Sequence, residues 1–284
     1  MTTENYYLTL TCPNRPGIVA AVSTYIYEHG GDIEEAQQFD DKASKRFFMR
    51  VSFSCDTDPK TLKEGFVEIA QRFNLTWDLR AVKDLKRVLI MASKLDHCLV
   101  DLLYRWRIGE LPMIISGIVS NHPREVYASI DFGDIPFYHL PVTPDTKTSQ
   151  EGKLLEIVAD AQVDMVILAR YMQILSDDLS TQLSGRCINV HHSFLPSFKG
   201  AKPYHQAHAR GIKLIGATAH FVTSDLDEGP IIEQDVTRVT HGDTPEDLVR
   251  KGRDLERTVL SRALRYYLYD RVLINGTTSV VFSD

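Results

Sequence analysis

Five of the chain's ten histidines fall in one stretch, Cys187 to Pro230, together with Asn189 and an acidic turn that carries Asp225 and Asp227. Ile188-Asn189-Val190-His191 reads as a strand, and its two-residue period puts Asn189 and His191 on one face with His192 pointing the other way. A second strand, Gly216 to Thr223, carries His220 and runs into Ser-Asp-Leu-Asp-Glu-Gly-Pro, where Gly229-Pro230 forces a turn. Asn, His and Asp together can serve acyl transfer. Attack on an amide or formyl carbon builds charge on oxygen, where an Asn amide donor is worth roughly 10²–10³ in rate. A His can protonate the departing nitrogen, and an Asp can take a proton from water or hold the imidazole in its cationic state. Two other readings stand beside this one. Asp225 taken alone is more often a turn former. His205 and His208, at i and i+3 on a predicted helix, lie near His191, His192 and His220 and could ligate a metal. That helix lacks the Glu of the zinc-protease motif, and no Cys or carboxylate stands at ligand spacing, so no metal is expected.

These residues need a sheet to hold them. Val88–Ala92 and Met165–Leu168 are nearly unbroken apolar runs, as in parallel strands buried on both faces. Between and after them the pattern alternates: a helix from Leu95 to Trp106, a strand from Met113 to Val119, a short helix from Arg124 to Ile130, a short strand from Phe137 to Pro141, and a helix from Glu151 to Ala161. This predicts an α/β domain with a mostly parallel sheet, whose sites gather at the carboxyl ends of its strands. Thr244-Pro245-Glu246-Asp247 is a capping box that opens a helix to about Asp270, with Leu248, Leu255, Val259, Ala263 and Tyr267 as its packing stripe. Leu273 to Phe282 reads as a hairpin around Asn275-Gly276.

The first 85 residues have a different rhythm. Strand 6–12, a helix with Ile18, Val22 and Ile26 on one face, strands 33–39 and 47–53, a helix with Leu62, Phe66, Ile69 and Phe73, and strand 75–82 give the order βαββαβ. With 284 residues the chain suits two domains, 1–85 and 86–284, joined at a charged KDLK junction. A formal charge of −6 argues against a nucleic-acid partner, and no apolar run is long enough to span a membrane. The cytoplasm is the expected compartment. Cys12, Cys55, Cys98 and Cys187 form no metal or disulfide spacing and read as reduced core residues.

The N-terminal pattern, with Arg15-Pro16-Gly17 in its first turn, resembles the ferredoxin-like ACT domain. That resemblance implies pairing between chains, hence a homo-oligomer. It also implies a small amino-acid effector site, usually where two such modules pair, at Asn14, Arg15 and Gly17, with Asp32 and Ile33 opposite. The residues by themselves read equally as a turn and a helix start.

Asn189-Val190-His191, the Leu195-Pro196-Ser197-Phe198-Lys199-Gly200 loop, and His220-Phe221-Val222-Thr223 through Asp227 to Gly229-Pro230 closely resemble the signature of the folate-dependent formyl transferases, over roughly residues 86–284. The resemblance implies Asn189, His191 and Asp227 as the catalytic set. It further implies a folate pocket at Met172, Gln173, Ile174 and Leu175, whose backbone would hold the pterin, with His220 nearby. Ile174 and Leu175 are equally compatible with a core helix. Members of the family pass the formyl group to glycinamide ribonucleotide, to charged tRNA or to water. The phosphate-binding loop of the first group is glycine-rich, whereas here the place reads Ala92-Ser93-Lys94-Leu95-Asp96. Ser93 with Asp96 looks like a capping box, although Lys94 could contact an anion alone. An acidic chain without an RNA-binding extension does not suit tRNA. The resemblance therefore implies hydrolysis of 10-formyltetrahydrofolate to formate and tetrahydrofolate, supplying formate for purine synthesis and balancing one-carbon pools. Folate is then substrate, and no cofactor is expected. The alternatives are transfer to a small amine such as glycinamide ribonucleotide, or an amino-acid sensor with an inert catalytic fold.

Overall fold

Alternating apolar residues on Glu4–Pro13 (β1) place Tyr6, Leu8, Leu10 and Cys12 on one buried face. The computed structural model, which describes residues 3–195 and 203–283, builds a four-stranded antiparallel sheet on that strand. After β1 come α1 (Ile18–Glu28), β2 (Asp32–Asp41), β3 (Arg46–Cys55), α2 (Pro59–Phe73) and β4 (Thr76–Ala81), with strand order β2-β3-β1-β4. Ile18, Val22 and Ile26 of α1 and Leu62, Phe66 and Phe73 of α2 pack on the β1 face. Asp58 caps α2, its carboxylate accepting from the backbone N–H of Lys60 and Thr61, with Pro59 at the first helical position.

The opposite face of this sheet holds a buried arginine. Arg50 is 1% exposed, lies over the Tyr7 ring at 4.5 Å, and donates to the Tyr269 carbonyl (2.9 Å) and to Glu35 (2.6 Å). Arg271 reaches the same Glu35 at 3.0 Å, and Arg80 pairs with Asp270 at 2.6 Å. Residues Tyr269–Asn275 and Ser279–Asp284 accordingly group with the first 85 residues rather than with the second unit, Lys86–Leu268 and Gly276–Thr278. The expected 86–284 domain thus gives up most of its last 16 residues. Removing Glu35 leaves two guanidinium groups without their shared carboxylate. Glu35→Ala should cost about 2 kcal/mol of stability, below the roughly 3–5 typical of fully buried pairs because this carboxylate is one-third exposed. Urea denaturation checks it, and an unchanged midpoint would mean that the backbone carbonyls suffice.

The second unit runs β5 (Lys86–Ala92), α3 (His97–Arg107), β6 (Met113–Ser120), a 3₁₀ turn (Arg124–Tyr127), β7 (Phe137–His139), α4 (Lys147–Asp160), β8 (Met165–Ala169), α5 (Asp177–Gln182), β9 (Cys187–His191), α6 (Pro203–Ala209), β10 (Leu214–Phe221), β11 (Ile231–Arg238) and α7 (Pro245–Leu268). The chain ends in β12 (Val272–Asn275) and β13 (Thr278–Val281), the predicted hairpin. The sheet order is β11-β10-β9-β8-β5-β6-β7. Strands β5 to β9 pair in parallel, while β10 and β11 pair antiparallel. The chain leaves β5 toward β6 on one side and returns to β8 on the other, so the carboxyl ends of β5, β8 and β9 border a topological switch point. The helix predicted for Arg124–Ile130 shortens to the 3₁₀ turn. The Thr244 capping box forms, with Thr244 N–H on the Asp247 carboxylate (3.1 Å) and Asp247 N–H on the Thr244 hydroxyl (3.2 Å). Among the described residues, no helix is long and apolar enough to cross a membrane.

Candidate active site

β9 and β10 pair so that Asn189 lies opposite His220, and cross-strand partners project from the same face. Asn189 Nδ2 stands 3.3 Å from His220 Nε2. His220 Nδ1 donates to the Phe221 carbonyl (2.8 Å), so the neutral ring keeps its lone pair on Nε2, where it accepts from the Asn189 amide. Thr218, opposite His191, is fully buried: its hydroxyl donates to the Ser193 carbonyl (2.9 Å) and accepts from Leu195 N–H (3.1 Å), which pins the chain leaving β9.

The acidic turn separates its two aspartates. Asp225 is exposed and its carbonyl takes part in the turn; Asp227 is half-buried and faces both histidines. Asp227 Oδ1 lies 3.1 Å from His191 Nδ1 and 3.6 Å from His220 Nε2. Burial pushes the Asp227 pKa up, but the hydrogen bond from His191 outweighs it and holds the carboxyl well below the usual carboxylate range. Asp227 adopts a left-handed backbone, φ 59°, a conformation costly for most side chains but accessible to Asp and Asn. Gly229, two residues on, is required by a close approach: a Cβ there would sit 1.8 Å from the Phe221 carbonyl oxygen.

Asn189, His191, His220 and Asp227 meet at a pocket of about 530 Å³, whose far wall is Tyr171 to Leu175. That segment is an open loop rather than a core helix: Met172 and Ile174 are exposed, while Leu175 packs against the core. Gln173, Ile174 and Leu175 also line an apolar recess with Met91, Leu140 and Leu179. The Met172 N–H is already taken by the Ser93 hydroxyl (3.0 Å), which leaves the backbone of the next three residues for a ligand.

Two sequence expectations change here, at Ser93 and at His192. Ser93 does not cap α3: its hydroxyl donates to Asn121 (2.6 Å), and the N-cap Asp96 makes no side-chain cap bond. Strand alternation ends at His191, so His192 does not point away; its ring stacks on that of His191 with centroids 4.8 Å apart, and it lines the pocket. In the first unit, Asn14 bonds Lys45 beside the Arg46 end of β3, whereas Asp32 pairs with Ser54 at its other end. Eight residues of strand, roughly 26 Å, separate the two halves of the expected effector site. Gly17 (φ 95°) precedes α1, Arg15 lies over Phe73 at 4.6 Å, and Ile33 pairs with Phe53.

His205 and His208 are exposed on α6. The loop residues 196–200 lie outside the described residues. Cys187 is fully buried in apolar surroundings, which raises its thiol pKa far from reactivity.

The formyl transferase family model matches residues 86–264, and the ACT domain model residues 6–64. A formyltetrahydrofolate deformylase of Corynebacterium sp. (strain P-1) is 48% identical over 279 residues, 97% of both chains. The crystal structure of one from Burkholderia mallei is 52% identical, with a TM-score of 0.94 over 99% of this chain and 100% of that one. The chain belongs to the formyltetrahydrofolate deformylase family. A glycinamide ribonucleotide transformylase from Symbiobacterium toebii, by contrast, is 30% identical and covers 70% of this chain, 95% of its own, with a TM-score of 0.63.

Sequence reasoning missed a buried polar group beside the site. Glu256 of α7 is 1% exposed; it accepts from His97 Nε2 (2.7 Å) and the Tyr204 hydroxyl (2.7 Å), and Arg170 Nε lies 3.3 Å away. Gly252, one turn earlier, lies against the Tyr204 ring, where a Cβ would come within 2.1 Å. The signal was present: Gly252, Glu256 and Val259 share the buried stripe of α7, so a carboxylate stood where an apolar residue belonged. His97, Cys98 and Glu256 bring ligand atoms within 4.8 Å of one another, but the Glu256 oxygens are committed to His97, Tyr204 and Arg170.

His192 supplies a stability prediction. Burial, then Arg170 and His191, lower its pKa from 6.5 to about 4. The unfolded chain therefore binds more protons between those values, and stability is complete above pH 6.5 and lost as pH falls toward 4. The full effect is about 3 kcal/mol. Urea midpoints for the wild type and His192→Gln across that window should diverge, the variant showing the flatter profile; parallel profiles would remove His192 as the cause.

Proposed function

We propose that this chain hydrolyses 10-formyltetrahydrofolate to formate and tetrahydrofolate, with water as the formyl acceptor. The observation that carries the reading is the convergence of two bonded pairs, Asn189 on His220 and His191 on Asp227, at one wall of the pocket. Its full-length likeness to formyltetrahydrofolate deformylases supports water over an amine.

With Nδ1 on Asp227, His191 has Nε2 left for the reactants. His191 takes a proton from water as the oxygen attacks the formyl carbon, then passes it to N10 as the C–N bond breaks. Asp227 is too weak a base, with its lowered pKa, to hold that proton itself; it orients the imidazole and stabilises its cation. Asn189 gives one amide N–H to His220 and keeps the second for the oxyanion. The loop Gln173–Leu175 receives the pterin, and folate is consumed as substrate rather than retained as a cofactor. An amino acid bound at the ACT unit would need two chains, since Asn14, Arg15 and Gly17 of one could meet Asp32 and Ile33 only of another.

Incubation with 10-formyltetrahydrofolate, with and without glycinamide ribonucleotide, tests the reading. Free formate without the amine is the expected result, and consumption only in its presence would overturn it.

A further inference from the structure

Arg170 and His192 are among the pocket residues that the mechanism above leaves unused. Arg170 follows the last residue of β8, is 8% exposed, and takes a left-handed backbone, φ 62°. Such a conformation is unfavourable for a residue with a Cβ, and strain of this kind concentrates at functional sites. Its side chain ion-pairs with Glu256, yet Arg170 Nε finds no hydrogen-bond acceptor among the described residues. Glu256 is meanwhile satisfied by His97 and Tyr204 from α3 and α6. Three elements thus fix a carboxylate that anchors the arginine without using its donors. Arg170 and His192 line the same pocket as Asn189, His191 and Asp227.

The reaction itself states what such a group could hold. Hydrolysis starts from a neutral formyl amide and water. The C–N bond breaks, a C–O bond forms, one proton of water goes to N10, and the second leaves through His191 to solvent. The carbon departs as formate, a planar anion that did not exist in the substrate. A guanidinium matches a carboxylate in shape and charge, and a neutral imidazole adds one N–H donor.

We propose that Arg170 and His192 form a carboxylate subsite for the formate product, and that Glu256, held by His97 and Tyr204, is the positioning residue that presents Arg170 to it. The proposal rests on the hydrolase reading. The test is therefore arranged in two stages. Wild-type enzyme is first shown to release formate from 10-formyltetrahydrofolate; if it does not, the hydrolase reading falls. Product inhibition is then measured separately with formate and with tetrahydrofolate in the wild type, Arg170→Lys, Arg170→Gln and Glu256→Gln. Formate inhibition should weaken by about 10- to 100-fold in Arg170→Gln and less in Arg170→Lys, with tetrahydrofolate inhibition unchanged. In Glu256→Gln it should weaken more than tetrahydrofolate inhibition does. Equal weakening toward both products, or unchanged formate inhibition in Arg170→Gln, overturns the assignment. Should the variants not fold, ¹³C-formate line broadening on the wild-type protein decides: saturable broadening displaced by substrate supports the subsite, and its absence sinks it.

Discussion

Asp227→Asn should lower kcat by about 10²–10⁴-fold while KM for the formyl-folate changes by no more than a few-fold. The expectation rests on separating charge from shape. Asn is nearly isosteric with Asp and is among the residues that tolerate a left-handed backbone, so φ 59° and the turn around it persist. The amide oxygen can still accept one hydrogen bond from His191. What disappears is the negative charge that His191 and His220 share at 3.1 and 3.6 Å. Without it, the imidazolium that the proposed mechanism forms when His191 takes a proton from water has no counter-ion in a half-buried site, and proton transfer loses its driving force. The pocket wall from Met172 to Leu175, which the proposed mechanism assigns to the pterin, is untouched, so folate binding should persist. Single-turnover formate release together with a folate titration measures both quantities. Near-normal release from this variant would remove Asp227 from the chemistry; loss of folate affinity in step with kcat would make it a binding residue instead.

The parts of this site legible in the sequence share one property: they repeat with the period of the element that carries them. Asn189 and His191 alternate along a strand, the buried stripe of α7 follows the helical period, and the apolar runs of β5 and β8 announce strands covered on both faces. Recognition of the Asn-x-His and Asp-x-Gly-Pro spacing then linked residues 36 positions apart, which periodicity alone cannot do. The failures lie where an element ends. His192 left the alternation because β9 stops at His191, and Ser93 turned to Asn121 and Met172 instead of capping α3. β11 escaped notice because Ile-Ile-Glu-Gln-Asp-Val-Thr-Arg is a sheet edge with a mixed, half-exposed face. The Arg50–Glu35–Arg271 cluster joins residues over 200 positions apart, and no local pattern encodes such a partner.

Gly229→Ala should cost at least about 10²-fold in kcat and about 1–3 kcal/mol in stability, although the substitution adds one methyl group and touches no reacting atom. The methyl would lie 1.8 Å from the Phe221 carbonyl oxygen and 2.9 Å from its carbon. Both are backbone atoms, so no flexible side-chain end can yield, and the strand or the turn must move. The same carbonyl oxygen accepts from His220 Nδ1 at 2.8 Å, the bond that fixes which ring nitrogen carries the proton. Phe221 N–H in turn donates to the Pro230 carbonyl at 2.9 Å, closing the turn on β10. Displacing the carbonyl therefore shifts Asp227 against His191 and frees the His220 ring to change tautomer, which would turn a donor toward the Asn189 amide. Gly152 in α4 is the control, because a Cβ there meets nothing within 4 Å and Gly152→Ala should raise stability by roughly 0.5–1 kcal/mol with unchanged kcat. Kinetics and urea denaturation of the two variants side by side distinguish the cases. A Gly229→Ala enzyme that is destabilised but keeps wild-type kcat would show that the turn can move without moving Asp227, and the coupling from Gly229 through Phe221 to His220 would have to be abandoned.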